Sequence, residues 1–125
     1  MSELGTLSGE SFCYLTTVGR VTGNPHTIEI WFALQRNRLY MLAGGRFKAD
    51  WVRNLQRQPQ VKVRIGERTF EGSATVVDEA SEDALARTLL LFKYRFRYSG
   101  DLTSWGRDAL PVAVDLDLTD TASNR

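Results

Sequence analysis

The chain has 125 residues, 42% of them apolar and 25% charged, with a formal net charge of +1. That is the composition of one folded domain; it excludes a disordered chain and argues against a protein that coats nucleic acid by bulk charge. One cysteine, Cys13, and one histidine, His26, allow no intrachain disulfide and leave a structural zinc site without enough ligands, so no metal is expected.

Residues 1–10 lack the basic and apolar regions of a signal peptide and are expected to form an arm or a short helix. No apolar run is long enough to span a bilayer, and the expectation is a cytoplasmic single domain over residues 1–125. Phe12 to Val18 alternates as a strand, with Cys13, Leu15 and Thr17 on one face. Gly19 to Pro25 has the composition of a turn. His26 to Leu34 alternates again and reads as one strand, with Ile28, Ile30, Phe32 and Leu34 on one side and Thr27, Glu29, Trp31 and Ala33 on the other. Leu39 to Ala43 reads as a buried strand closed by Gly44-Gly45.

The period then changes. Phe47, Trp51 and Leu55 fall on one face of an expected helix, which Pro59 stops. Val61, Val63 and Ile65 mark a strand, and Thr69 to Val77 its hairpin partner, with Phe70, Gly72, Ala74 and Val76 on one face. Ser81 is placed to cap a second helix with an apolar stripe of Leu85, Leu89, Phe92 and Phe96. Leu110 to Leu118 alternates as a last strand, and residues 119–125 are read as a frayed tail. Six strands joined mostly by short connections, with two or three helices between them, predict an α+β fold whose antiparallel sheet curls into a small barrel.

Residues 36–68 carry nine bases against Asp50 and Glu67, whereas the flanking thirds are acidic. This pattern suggests a local anion site. No paired-carboxylate, Gly-x-Ser-x-Gly or phosphate-loop motif occurs, so an enzyme on this chain would take its reactive atoms from a cofactor.

Four features could build such a site. The turn Gly19-Arg20-Val21-Thr22-Gly23 can offer N–H groups, a guanidinium and a hydroxyl to a phosphate, or be a plain hairpin with a solvated arginine. Ala43-Gly44-Gly45, leading to a helix expected to start near Arg46 and carrying Lys48, can present a helix N-terminus to an anion or simply turn the chain. Trp51 reads first as core; Asn54 beside it can hold a loop or orient a ring. His26 and Trp31 lie on opposite faces of their strand, and Tyr94 and Tyr98 close the second helix, where they either supply a hydroxyl over a substrate or edge the core.

Taken in order, Thr16-Thr17-Val18-Gly19-Arg20-Val21-Thr22-Gly23, Glu29-Ile30-Trp31-Phe32, Leu42-Ala43-Gly44-Gly45, Asp50-Trp51-Val52-Arg53-Asn54-Leu55 and Pro59-x-Val61-x-Val63 resemble the deazaflavin-dependent nitroreductase family of F420H2-dependent oxidoreductases, over about residues 12–78. The resemblance implies a split β-barrel of the pyridoxamine-phosphate-oxidase type. It implies coenzyme F420, with FMN as the alternative, and hydride transfer to a small electrophilic acceptor such as a quinone, activated alkene or nitro compound. A non-catalytic flavin-, haem- or lipid-binding protein of the same fold is the competing reading.

The resemblance assigns the cofactor's phosphate to Arg20, Thr22 and the His26-Thr27-Ile28 segment, its ring to Leu42, Ala43 and Gly44, and its surroundings to Trp31, Asp50, Trp51 and Asn54, with Lys48 near the acidic tail. Tyr94 or Tyr98 would close the acceptor pocket. Nucleic acid is not an expected partner. Monomer and homodimer both remain open, an apolar edge around Trp31 or Trp105 suiting a dimer.

Overall fold

A computed structural model describes residues 3–118. A short helix α1 (Glu3–Leu7) precedes strands β1 (Cys13–Val18), β2 (Pro25–Ile30), β3 (Ala33–Gln35) and β4 (Arg38–Ala43). A 3-10 turn (Arg46–Lys48) leads to α2 (Asp50–Arg57), and β5 (Gln60–Ile65) and β6 (Arg68–Val76) follow. Helices α3 (Ala80–Tyr94) and α4 (Thr103–Asp108) then precede the last strand, β7 (Leu110–Leu116). The predicted tail, residues 119–125, lies outside the described residues.

The strands form one antiparallel sheet in the order β2-β1-β5-β6-β7-β4-β3. Its two end strands, β2 and β3, are separated in the chain by Trp31 and Phe32 alone. Three residue steps reach at most about 11 Å, whereas the ends of a flat sheet of this width would stand roughly 29 Å apart. The sheet must therefore curl until its edges nearly meet. The fold is α+β as expected, but with seven strands where the sequence suggested six, because the His26–Leu34 run is cut in two at this corner. Its alternation continues through the corner: Ile28, Ile30, Phe32 and Leu34 all pack on the interior cluster, and Trp31 and Ala33 on the outer one.

The interior is filled by Leu15, Phe32, Met41, Val63, Ile65, Val112 and Val114, with Val52 and Leu55 of α2 packed into it. The outer cluster lies between the sheet and α3 and holds Tyr40, Leu42, Ala86, Leu90 and Tyr94. Each fully buried side chain of this size stabilises by roughly 1.5–3 kcal/mol.

Two helices differ from the sequence reading. Of the expected Phe47–Trp51–Leu55 stripe, Trp51 and Leu55 pack on the interior cluster, but Phe47 is 49% exposed, because Ala49 is extended (φ −66°, ψ 134°) and the helix starts only at Asp50, burying Val52, Asn54 and Leu55. Glu79, rather than Ser81, caps α3, its carboxylate accepting from the N–H groups of Ser81 and Glu82. The buried face of α3 is Ala86, Leu90 and Tyr94, and the expected core residues Phe92 and Phe96 are 64% and 85% exposed. Helix α4, which the sequence did not suggest, buries Gly106 against Leu91, where an added Cβ would stand 2.7 Å from that side chain.

Candidate active site

The Gly19–Thr22 turn, the first half of β2 and the start of α2 enclose a cleft of about 440 Å³. Arg20, Thr22, His26, Thr27, Ile28, Asp50, Trp51 and Asn54, eight residues named from the sequence, all line it. The anchor is Asn54, which is only 4% exposed. Its Oδ1 accepts from the Arg20 backbone N–H at 3.2 Å and from Arg20 Nη1 at 2.8 Å, while its Nδ2 donates to Thr17 Oγ1 at 3.1 Å. One buried amide thus ties the turn, β1 and α2 together. Asp50 adds a charge pair, Oδ1 lying 3.0 Å from Arg20 Nη2. The guanidinium is held against the cleft wall instead of swinging in solvent.

The tip of the turn is shaped for close approach. Gly19 N–H donates to Asn24 O and Gly23 N–H to Gly19 O, and Gly23 takes φ +80°, which favours glycine. A Cβ on Gly19 would stand 2.7 Å from His26 Nε2 and 3.0 Å from Asn24 O, so the histidine ring packs where any side chain at residue 19 would lie. The Val21 and Thr22 N–H groups find no acceptor among the described residues. Two free amides, the Thr22 hydroxyl, His26 and Arg20 form a donor set suited to a phosphate-type anion, with the half-buried Trp51 indole alongside for a ring.

The second half of β2 lines an adjoining cleft of about 480 Å³, walled by Ile30, Trp31, Leu42, Tyr98, Leu102 and Trp105, with Glu29 and Asp101 at hand. Trp31 stacks on Tyr94 at 4.3 Å and meets Tyr98 and Trp105 edge-on at 5.4 and 5.5 Å. Hydrogen bonding from Thr103 holds the Asp101 carboxyl below its usual range.

Some expected residues are placed elsewhere. Tyr94 is 1% exposed; its hydroxyl shares its proton between Ser11 O (2.8 Å) and Phe32 O (3.1 Å) and accepts from Phe32 N–H (3.0 Å). It bolts the β2–β3 corner and offers no hydroxyl to a substrate; burial pushes it up to about 12. Tyr98, 46% exposed, does line the aromatic cleft. Ala43 is buried in the interior, Gly44 is exposed, and neither lines either cleft. The glycine pair leads into the 3-10 turn, with Gly45 at its N-cap and Arg46 left-handed (φ 53°), and the α-helix itself begins only at Asp50. Lys48 lies two residues before Asp50 in the 3-10 turn, outside the cleft lining.

None of the bases of residues 36–68 is among the residues that line the Arg20 cleft. Arg38 is taken by Glu82 and Asp115, Arg46 by Asp108 O, and Arg64 by Gly66 O and the Tyr14 ring. As cleft residues the sequence reading did not include Glu29, Ile30, Asp101, Leu102 and Trp105; Trp105 entered it only as part of an apolar edge. Cys13 is buried, its thiol pushed up to about 12, and takes no part. Among the described residues no cluster of His, Cys, Asp and Glu is placed to hold a metal ion, and no helix is long and apolar enough to cross a membrane.

A curled antiparallel sheet with ligand-sized clefts along its first edge strand defines a split β-barrel. The same fold is found in an F420 reductase (TM-score 0.66, 21% identity, covering 94% of this chain and 95% of that one). It is found also in a Listeria innocua protein named after pyridoxamine 5′-phosphate oxidase (TM-score 0.67, 17% identity, 91% and 90%). A third is the haem storage protein HutZ of Vibrio cholerae (TM-score 0.67, 19% identity, 92% and 88%). The chain itself belongs to the F420H(2)-dependent quinone reductase family, which it matches over residues 2–117. The family is one of F420-dependent oxidoreductases, in agreement with the sequence resemblance.

Proposed function

We propose that this protein is an F420H2-dependent reductase that passes a hydride to a quinone-type acceptor. The bound deazaflavin would supply the hydride; the protein supplies binding, orientation and exclusion of water. The observation that carries the reading is the cleft between the Gly19–Thr22 turn and α2, which is lined by Arg20, by Val21 and Thr22 with amides that have no acceptor among the described residues, and by Asn54.

In this reading that donor set holds the cofactor's phosphate, and Asn54 fixes the donors before the ligand arrives. Trp51 and Ile28 flank the cofactor. The acceptor enters the adjoining cleft, where Trp31, Trp105 and Tyr98 present flat apolar surfaces suited to a planar ring. Consecutive residues of β2 line the two clefts, so one strand edge leads from one to the other. The test is an equilibrium titration of the purified protein with F420, followed by steady-state reduction of a soluble benzoquinone. Binding without turnover would leave a carrier of F420; failure to bind F420 at tens of micromolar would refute the assignment.

A further inference from the structure

The end of α3 presents a surface that neither the F420 reading nor the fold requires. Phe92 and Phe96 are 64% and 85% exposed, and the Arg95 guanidinium lies over both rings, 4.3 and 4.6 Å from their centroids. Arg97 follows, and Tyr98 beyond it already belongs to the aromatic cleft. From Ala84 to Gly100 the chain carries four bases and no acid. Arg87 is paired with Asp83 and Lys93 is turned to Phe32 O, which leaves Arg95 and Arg97 as the exposed cations of this segment, Arg97 Nη1 donating to the Ser11 hydroxyl at 3.3 Å.

We propose that this end of α3 docks the protein on an anionic membrane surface. Protruding aromatic rings beside arginines suit the headgroup boundary: the rings bury in the acyl edge, and the guanidiniums meet the phosphates. Charge separates this occupant from a second copy of the chain. Around a two-fold axis each copy would set two arginines against a single nearby carboxylate, Asp101, so the patch matches an anionic surface better than it matches itself. Position supports it too. A shallow cleft of about 430 Å³, lined by Leu91, Phe92, Arg95 and Leu102, shares Asp101 and Leu102 with the aromatic cleft, so an apolar molecule in the bilayer boundary has a short route to Trp31.

The test is co-sedimentation of the full chain with vesicles of equimolar phosphatidylglycerol and phosphatidylcholine, against phosphatidylcholine alone. The expected result is retention on the anionic vesicles only, reversed by about 0.5 M salt. Arg95→Gln/Arg97→Gln should weaken retention roughly fivefold per arginine, and Phe92→Ser/Phe96→Ser should abolish it. Both variants should keep the wild-type melting temperature, since these side chains are exposed. Absence of retention, or retention that neither variant alters, overturns the proposal. So does a dimer that the phenylalanine variant dissociates without any lipid binding, which makes the patch a self-interface, or displacement of bound vesicles by a single-stranded oligonucleotide, which makes it a nucleic-acid surface. None of these readouts involves F420, so the proposal can fail independently of the assigned activity.

Discussion

Asn54 Oδ1 accepts two hydrogen bonds from one residue, the backbone N–H and the Nη1 of Arg20, from a position that is itself 4% exposed. A buried amide that holds both ends of an arginine sets the turn and its charge together. Asn54→Ala should leave Thr17 Oγ1 and the Arg20 amide without their partner, at about 1–3 kcal/mol of stability. It should also loosen F420 binding by more than the stability loss explains. Chemical denaturation and F420 titration of the same variant check both parts; unchanged affinity would show that the turn needs no anchor.

Asp50 takes part of the Arg20 charge at 3.0 Å, although its own side chain is 84% exposed. A pair this open contributes little to stability, on the order of 0–1 kcal/mol, so its replacement mainly changes the field in the cleft. Asp50→Asn should tighten binding of an anionic ligand and Arg20→Gln should weaken it, both effects shrinking as salt rises. Inorganic phosphate competing with F420 at two ionic strengths measures this. A weaker Asp50→Asn variant would mean that orientation of Arg20 outweighs its charge.

Gly19 has no room for a side chain. Gly19→Ala would push a methyl group to 2.7 Å from His26 Nε2 and 3.0 Å from a backbone oxygen. The histidine ring can swing away but the Asn24 carbonyl cannot, so the expected outcome is a displaced turn, a modest stability loss and F420 affinity down at least tenfold. The double variant Gly19→Ala/His26→Ala should recover only part of it. Full recovery would assign the whole effect to the ring.

How much of this was open to a reading of the chain alone follows from where each signal lies. Period-two strands such as Val61-Val63-Ile65 announce themselves, because one face must be buried along the whole strand. The β2–β3 break was not visible, because Trp31 and Phe32 continue the alternation and no turn residue marks the corner; what bends the chain there is Tyr94, 62 residues away. The same distance hid the role of the Tyr94 hydroxyl. Gly-Arg-Val-Thr-Gly and Trp-x-x-Asn are local patterns, and their residues do meet in one cleft. The basic middle third did not point to this cleft, since net charge along a chain carries no record of which sheet face each base lands on. The Arg38–Glu82 and Arg38–Asp115 pairs, reaching across the sheet to α3 and β7, had no local signal at all.

Tyr94→Phe separates structure from catalysis. Loss of the hydroxyl removes its bonds to Ser11 O, Phe32 O and Phe32 N–H, and should cost about 1–3 kcal/mol, with a turnover number for the folded protein within a few-fold of wild type. A loss of a hundredfold or more at unchanged stability would return this hydroxyl to the chemistry.

Lys93 gives the fold a pH signature. Burial lowers it from 10.5 to about 8, while its Nζ donates to Phe32 O at 2.9 Å. Between about pH 8 and 10.5 the unfolded chain holds a proton that the folded chain has released, so this group makes stability rise with pH across that window. Cys13 and Tyr94, both raised to about 12, oppose it above their ordinary values of 9.0 and 10.0, because there the folded chain keeps protons that the unfolded chain loses. Against Lys93→Met, which leaves those two in place, wild type should therefore gain stability from pH 8 upward. Parallel stability curves for the two proteins would contradict the buried amine.

We assign the cleft between the Gly19–Thr22 turn and α2 to coenzyme F420. Fluorescence titration of the freshly purified protein with F420, run beside FMN, tests that assignment most directly. Saturable binding of F420 at micromolar concentrations is expected, weakened at least tenfold by Thr22→Ala/Arg20→Gln, with no comparable binding of FMN. Tight FMN binding with no response to F420, or F420 binding that the double variant leaves intact, would contradict it.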